Sequence, residues 1–247
     1  MKQTCVIVQP TFFPWLGWFD LVDQSDVVVL LDDVAFSKQS WQQRNRIRTR
    51  NELEFLTVPV KTSGRLGQRL LECELGDQRF VDKTLNGLRA NYGKAPFFKE
   101  CFDSLAAAFA AGAASGRLVG LNCSMISWMA GRLGITKQMI LASTLGVGYE
   151  RGEHVAGICE CVGSTRYLSP AGAEAYLLED RLAFDRRGIS VWLHVYEHPA
   201  YPQRFDPFIP FATALDLILN VGPEAPEVMR SGRRPSRALG EPLPNHL

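Results

Sequence analysis

The distribution of apolar and polar positions predicts a chain that alternates between buried strands and amphipathic helices. Residues 4–9 and 27–31 are compact runs rich in β-branched residues, and each ends at polar residues, which is typical of buried strands. Between them Pro14 opens a stretch whose apolar residues recur at helical spacing. A helix between two continuously apolar strands indicates the βαβ unit of a parallel sheet that is covered on both faces.

The rest of the chain continues this alternation around a helical middle. Further strands are predicted at 55–60, 70–75, 139–142, 166–169 and 189–195, and helices at 78–88, 96–112, 118–133, 155–162, 171–178 and 210–220. The predicted fold class is α/β, with a mainly parallel, Rossmann-like sheet, an N-terminal βαβ unit and a helical insertion or subdomain at about 77–134. We expect this domain to occupy residues 1–222, and the proline- and arginine-rich residues 223–247 to form a loosely held tail.

Composition and charge narrow the class of protein. The chain is 46% hydrophobic and 21% charged, which is ordinary for a soluble globular protein. Its formal net charge is +1, so any binding of nucleic acid would rest on a local basic patch. The longest uncharged apolar stretch, 105–116, is about half of a membrane span, and six scattered cysteines suit a reducing compartment. We therefore expect a cytoplasmic protein without a membrane span, and we predict neither a cofactor nor a metal site.

Polar side chains follow the first two predicted strands. Gln9 and Thr11 come after the first strand, and Asp32 and Asp33 come directly after the second. Because open parallel sheets bind ligands at the carboxyl ends of their strands, we expect these groups to converge on one crevice. The carboxylates could bind sugar hydroxyls, hold a divalent ion or act as a general base, or one of them could simply cap the next segment.

Aromatic residues are concentrated beside this crevice. Five of them fall within eight positions: Phe12, Phe13, Trp15, Trp18 and Phe19. Such residues most often belong to a core, and several of these suit the packing of a helix start. The loop that carries Trp15 also suits a platform on which a sugar ring or a base would stack.

A basic segment follows the second strand. Four arginines alternate along it: Arg44, Arg46, Arg48 and Arg50. On a strand this spacing would place all four on one face, with Lys38 and Trp41 just upstream. Three interpretations remain open here: a solvated edge strand, a phosphate site that uses the forked guanidinium donors, or a contact with a nucleic-acid backbone.

Two further candidates lie toward the C-terminal half. His194 falls inside an apolar strand and is predicted to be a core histidine, whereas His198 follows that strand and is the better acid–base candidate. Ser169 and Gly172 bracket a turn between a strand and a helix, where backbone N–H groups could bind a phosphate or an oxyanion.

Taken in order, these motifs resemble those of the WbqC-like family. The similarity covers roughly residues 4–222, and these segments carry it: VQPTFFPWLGWF at 8–19, LDDVAF at 31–36, RNRI at 44–47, YGKAPFF at 92–98, VGST at 162–165, SPAGA at 169–173 and LDLILN at 215–220. The family usually carries a histidine directly before Gln-Pro, and Val8 stands there in this chain. A step that depends on this histidine would need a substitute, for which His198 is a candidate.

The resemblance implies a role in the biosynthesis of O-antigen or another surface polysaccharide. It suggests a transferase that moves an acyl or aminoacyl (glycyl) group to a nucleotide-linked amino sugar, with aminoacyl-tRNA as one donor. In that case Asp32 or Asp33 would bind sugar or act as the base, and Gln9, Thr11 and Trp15 would line the crevice. Lys38, Arg44 and Arg46 would hold the diphosphate, and Asn45 would also bind the substrate. The alternative is a non-catalytic protein that binds sugar nucleotides or serves as a scaffold in glycan assembly.

Overall fold

A mostly parallel β-sheet forms the centre of the protein. The computed structural model describes residues 3–148 and 151–242, except for the side chain of Arg151. Its strands are β1 (Thr4–Val8), β2 (Val27–Leu30), β3 (Arg44–Arg48), β4 (Leu53–Thr57), β5 (Met139–Leu141), β6 (Arg166–Pro170), β7 (Ser190–Tyr196) and β8 (Arg233–Ala238). The central sheet has the order β5-β2-β1-β6-β7-β8, and only the β7–β8 pair in it is antiparallel. The predicted α/β class, with a mostly parallel sheet and an N-terminal βαβ unit, is confirmed.

Helices cover both faces of this sheet. They are α1 (Leu16–Asp23), α2 (Phe80–Tyr92), α3 (Phe98–Ala114), α4 (Leu118–Arg132), α5 (Arg151–Cys161), α6 (Glu174–Glu179), α7 (Arg181–Asp185), α8 (Ala214–Val221) and α9 (Ala225–Ser231). Because side chains alternate along a strand, Val6 and Val8 of β1 face one core while Cys5 and Ile7 face the other. The first core takes residues from α1–α4, α8 and α9, and the second takes residues from α5–α7. No helix in the described ranges is long and apolar enough to cross a bilayer.

Two short segments differ from the local pattern. The strand predicted at 70–75 is a 3-10 turn at Leu70–Glu72, because its amides are taken up by the loop after β2: Leu70 N donates to Val34 O and Leu71 N to Asp32 O. The helix predicted at 171–178 begins as the 3-10 turn Ala171–Ala173 and continues as the six-residue α6.

The expectation of a loose tail is wrong for residues 223–242, and residues 243–247 lie outside the described part of the chain. Helix α9 buries Ala225 and Met229, and β8 adds a strand to the central sheet, so the fold extends to at least Ala238. The arginine content of this segment led to the prediction of a solvated tail. Arg233, however, is paired with the acids of α1, because its guanidinium lies 2.9 Å from Asp20 and 2.6 Å from Asp23. Pairing within the fold neutralises these charges and lets the segment pack.

Candidate functional site

A cavity with mainly aromatic walls lies beyond the carboxyl end of β1. We call it the aromatic cavity; its volume is about 330 Å³, and it is lined by Thr11, Trp15, Trp18, Trp41, Asn45, Arg46 and Phe211. The structure thus brings together four residues that the sequence singled out for substrate binding, namely Thr11, Trp15, Asn45 and Arg46. Trp41 had been noted beside the arginines, whereas Phe211 is 165 residues from Arg46 and only the fold places it here.

Trp15 forms one wall of the aromatic cavity, which we call the Trp15 wall, and residues from several elements support it. Its ring lies 5.6 Å from that of Tyr196, edge to face, and 5.9 Å from that of Phe211. The absence of a side chain at Gly17 is required here, since a Cβ at that position would lie 2.3 Å from the Trp15 ring. The wall is therefore assembled from the start of α1, the end of β7 and the loop before α8.

Asn45 lines the cavity and also stabilises the turn that follows β1. It is buried, and its Nδ2 donates to the carbonyl oxygens of Phe12 (3.2 Å) and Phe13 (2.9 Å). Phe13 has a φ of 44°, in the left-handed region that non-glycine residues seldom adopt. The amide of Asn45 thus holds the strained turn that follows β1 and carries Thr11 and Trp15.

The four arginines lie in different environments. Arg44 stacks on Phe55 with a guanidinium-to-ring distance of 4.4 Å, and Arg46 lies 5.5 Å from the ring of Trp41. Arg48 is only 1% exposed, and it donates to the carbonyl oxygens of its neighbour Thr49 (2.6 Å) and of two loop residues, Phe205 (3.2 Å) and Pro207 (2.9 Å). Arg50 lies beyond the end of β3, and Lys38 is exposed in the preceding loop. Strand β3 therefore offers two guanidinium groups to a ligand.

Gln9 is exposed at the same edge of the sheet and is held by a neighbouring loop. Its Oε1 accepts a hydrogen bond of 2.9 Å from Nε2 of Gln42, whose Oε1 in turn accepts from Ser37 N at 2.8 Å. Gln42 is 2% exposed and fixes the loop that joins β2 to β3. Sequence reasoning missed Gln42, because nothing local distinguishes it from a solvated loop glutamine.

The two adjacent aspartates have different surroundings. Asp32 is 1% exposed, and its two oxygens accept from Ser143 N (2.9 Å) and Ser143 Oγ (2.7 Å). Both oxygens of Asp32 are therefore engaged in securing the turn after β5. Asp33 points elsewhere: its Oδ2 lies 3.0 Å from Nε2 of His154, and its Oδ1 is buried without a partner among the described residues.

His154 lines a second cavity at the carboxyl edge of the sheet. The second cavity measures about 340 Å³ and is lined by Leu31, Val34, Gly152, His154, Val155, Tyr176, Glu179 and Asp180. His154 is 8% exposed, and its Nδ1 has no partner in the described ranges. Sequence reasoning missed it because the helix was expected to begin one residue later. The position of His154 in the chain could have indicated it. A crossover helix that leads into a parallel strand begins at the carboxyl edge of the sheet, so a histidine in its first turn lies at the edge where ligands bind.

The two cavities are neighbours along this edge. Leu31 N donates to Val8 O at 2.8 Å, so the ends of β1 and β2 are adjacent. Thr11 is three residues beyond Val8, a reach of at most about 11 Å. Adding the spacing of about 5 Å between neighbouring strands, the Cα atoms of Thr11 in the aromatic cavity and Leu31 in the second cavity are at most about 16 Å apart.

The remaining histidine predictions have different outcomes. His194 is the core histidine that its strand position indicated: its Nε2 lies 2.8 Å from Oδ2 of the fully buried Asp20. His198 stacks on Trp15 with ring centroids 6.2 Å apart, and its Nε2 is buried without a partner among the described residues. It is not among the residues that line the aromatic cavity, but it packs against two that are, Trp15 and Phe211.

Burial of His198 makes the stability of the protein depend on pH. Burial lowers the pKa of His198 from its ordinary value of 6.5. Below pH 6.5 the unfolded chain therefore takes up more protons than the folded one, and stability is lost as the pH falls toward the lowered pKa. We expect thermal unfolding between pH 7.5 and 5 to show this loss, and His198→Phe, which cannot titrate, to show less of it. An equal loss in both proteins would contradict the prediction.

Ser169 and Gly172 lie at the end of β6, outside the linings of both cavities. Ser169 is fully buried and its Oγ donates to Pro170 O at 3.3 Å, while Gly172 is exposed in the 3-10 turn that precedes α6. Within the ranges described, no three His, Cys, Asp or Glu side chains are grouped so that they could hold a metal ion.

Fold and site together define an α/β protein whose ligand-sized cavities open at the carboxyl edge of a parallel sheet. The chain belongs to the WbqC-like protein family, whose model matches residues 9–228. It is 32% identical over 235 residues to Uncharacterized protein Rv1507c of Mycobacterium tuberculosis, which covers 95% of this chain and 100% of that protein. No solved structure matches the chain. Membership of the family suggests a role in polysaccharide biosynthesis.

Proposed function

We propose that this protein transfers an acyl or aminoacyl group, such as glycyl, to the amine of a nucleotide-linked amino sugar for a surface polysaccharide. The observation that carries this proposal is the aromatic cavity, which combines the faces of Trp15, Trp41 and Phe211 with the guanidinium of Arg46. Aromatic faces stack on sugar rings and bases, and a guanidinium offers paired donors to phosphate oxygens.

The size and charge of the site support a sugar nucleotide as the acceptor. A volume of about 330 Å³ lies within the range of small-molecule sites. With Arg48 buried, the guanidinium groups that β3 presents are those of Arg44 and Arg46, enough for a diphosphate but few for a long nucleic-acid backbone. Lys38, exposed in the adjoining loop, adds a third cation.

The reaction requires little of the protein beyond positioning and one base. The attacking amine belongs to the acceptor, so the protein must hold two substrates and accept one proton. Asp32 is engaged by Ser143, and Asp33 is the member of the pair that keeps an unpartnered oxygen. The donor in this proposal is an acyl or aminoacyl ester, of which aminoacyl-tRNA is one example.

Trp41→Ala is expected to weaken the binding of nucleotide-linked amino sugars at least about fivefold. The Trp41 side chain is 48% exposed, so its removal costs the fold little while deleting a stacking surface worth about 1–3 kcal/mol. Isothermal titration calorimetry with a panel of nucleotide-linked amino sugars measures this. Trp128→Ala is the matched control, because Trp128 lies on α4 outside the cavity lining.

Two results would contradict the proposal. A folded wild-type protein that binds no member of the panel would show that nucleotide-linked amino sugars are not the acceptor. Equal affinities of the two tryptophan variants would show that the aromatic cavity is not the binding site. Binding without turnover of any acyl or aminoacyl ester would instead favour the non-catalytic, sugar-nucleotide-binding alternative.

A further inference from the structure

The pairing of His154 with Asp33 forms an acid–base unit that the aromatic cavity does not use. His154 comes from the first turn of α5 and Asp33 from the loop after β2, and their side chains are 11% and 15% exposed. Their contact of 3.0 Å joins Nε2 to Oδ2. The other ring nitrogen and the other carboxylate oxygen are both buried and have no partner within the described chain.

These contacts favour one tautomer of the imidazole. A carboxylate accepts hydrogen bonds, so Asp33 Oδ2 accepts one from the N–H group at Nε2 of His154. A proton on Nδ1 would be a buried donor without an acceptor, which costs about 1–3 kcal/mol. The neutral ring therefore keeps its proton on Nε2, and the lone pair of the buried Nδ1 has no partner among the described residues. A base oriented by a carboxylate in this way is the arrangement that activates nucleophiles in many unrelated enzymes.

We propose that His154, oriented by Asp33, is the general base of the transfer, and that the second cavity is where the amine meets the acyl ester. This inference rests on the proposed function. Leu31, Val34 and Val155 provide apolar walls for the hydrocarbon part of the acyl group. In this proposal the nucleotide of the acceptor is held in the aromatic cavity, and its amino sugar extends along the carboxyl edge toward His154. The Cα atoms of Thr11 and Leu31, one from each cavity lining, are at most about 16 Å apart.

The step is balanced without a further reactant. The amine nitrogen attacks the carbonyl carbon of the ester, and a C–N bond forms while the nitrogen gives a proton to Nδ1 of His154. The C–O bond of the ester then breaks, and His154 returns the proton to the departing oxygen. The products are the N-acylated amino sugar and the alcohol of the donor. The imidazole ends in its starting tautomer.

His154→Gln is expected to lower turnover a hundredfold or more, the usual contribution of a general base, while the Kd for the nucleotide-linked amino sugar stays within twofold. Imidazole in the buffer should restore part of the activity of His154→Gly, which a purely structural histidine would not allow. Asp33→Asn should also lose activity, because an amide can donate to Nε2 and no longer fixes the tautomer that leaves Nδ1 free. Glu153→Gln is the matched control, since Glu153 is the adjacent residue and pairs with Arg186 and Arg187 instead.

A second measurement does not depend on turnover. Nitrogen-15 chemical shifts of the His154 ring should report the tautomer with its proton on Nε2 in the wild-type protein, and a change in Asp33→Asn. A proton found on Nδ1 would overturn the inference, because the nitrogen that should accept a proton would already carry one.

The outcomes distinguish the role of His154 as the base from the proposed transferase function. Full activity of a folded His154→Gln that still binds the acceptor would overturn the role of His154 and leave the transferase proposal standing. A wild-type protein that binds no nucleotide-linked amino sugar would overturn the proposed function, and the role of His154 in it as well.

Discussion

A chain that ends at Gly222 is expected to fail to fold. The deletion removes α9, whose Ala225 and Met229 are fully buried in the first core, and β8, which pairs with β7. It also leaves Asp20, which is fully buried, without the guanidinium of Arg233. Circular dichroism and thermal melting of the truncated chain should show no cooperative transition. A truncated protein that melts cooperatively near the wild-type temperature would show that the C-terminal segment is dispensable.

A pair of neighbouring substitutions tests the same contacts at smaller scale. Arg233→Ala should lower the free energy of unfolding by about 3 kcal/mol. This is the lower end of the range for breaking a buried ion pair, because Arg233 itself is 34% exposed. Arg234→Ala is the matched control: its partner Glu197 is 57% exposed, and such surface pairs are worth about 0–1 kcal/mol. Equal costs for the two variants would contradict the account of Asp20.

Arg48→Ala is expected to lower the free energy of unfolding by about 3–5 kcal/mol, which corresponds to a fall in Tm of about 10 °C. The guanidinium of Arg48 satisfies three carbonyl oxygens and stabilises the charge of the buried Asp216. Burial raises the pKa of Asp216, although Tyr201 and Gln203 both donate to its Oδ2. Removing Arg48 would leave this carboxylate less compensated and open a cavity beneath β3.

Arg44→Ala is the matched control for Arg48. Both arginines belong to β3, but Arg44 stacks on the half-exposed ring of Phe55 and pairs with no buried acid among the described residues. Its loss should therefore lower the free energy of unfolding by less than about 1 kcal/mol. Chemical denaturation of the two variants measures the difference. Comparable costs would mean that the strand carries its arginines in equivalent environments, contrary to the structure.

The sequence by itself determined the elements that nucleate the sheet and the edge at which ligands bind. Continuous β-branched runs predicted β1 and β2 almost to the residue, because such side chains suit a strand that is buried on both faces. The parallel order then implied that the residues after these strands meet at one edge, and Thr11 and Trp15 do line a cavity there. These properties depend on local periodicity and on the chirality of the chain, which a single sequence displays.

Only the tertiary structure decided which charged residues are surface groups and which are partners. Arg44 and Arg48 occupy equivalent positions in the sequence pattern. Arg48 is nevertheless buried, and its guanidinium donates to a carbonyl oxygen of a loop 157 residues away. Arg233 is bound by Asp20 across 213 positions, and His154 finds Asp33 from another element. A charge is buried only when a partner compensates it, and that partner is supplied by long-range packing rather than by the neighbouring residues. For this reason the strands could be predicted from local pattern, whereas the ordered C-terminal segment and the His154–Asp33 pair required the fold.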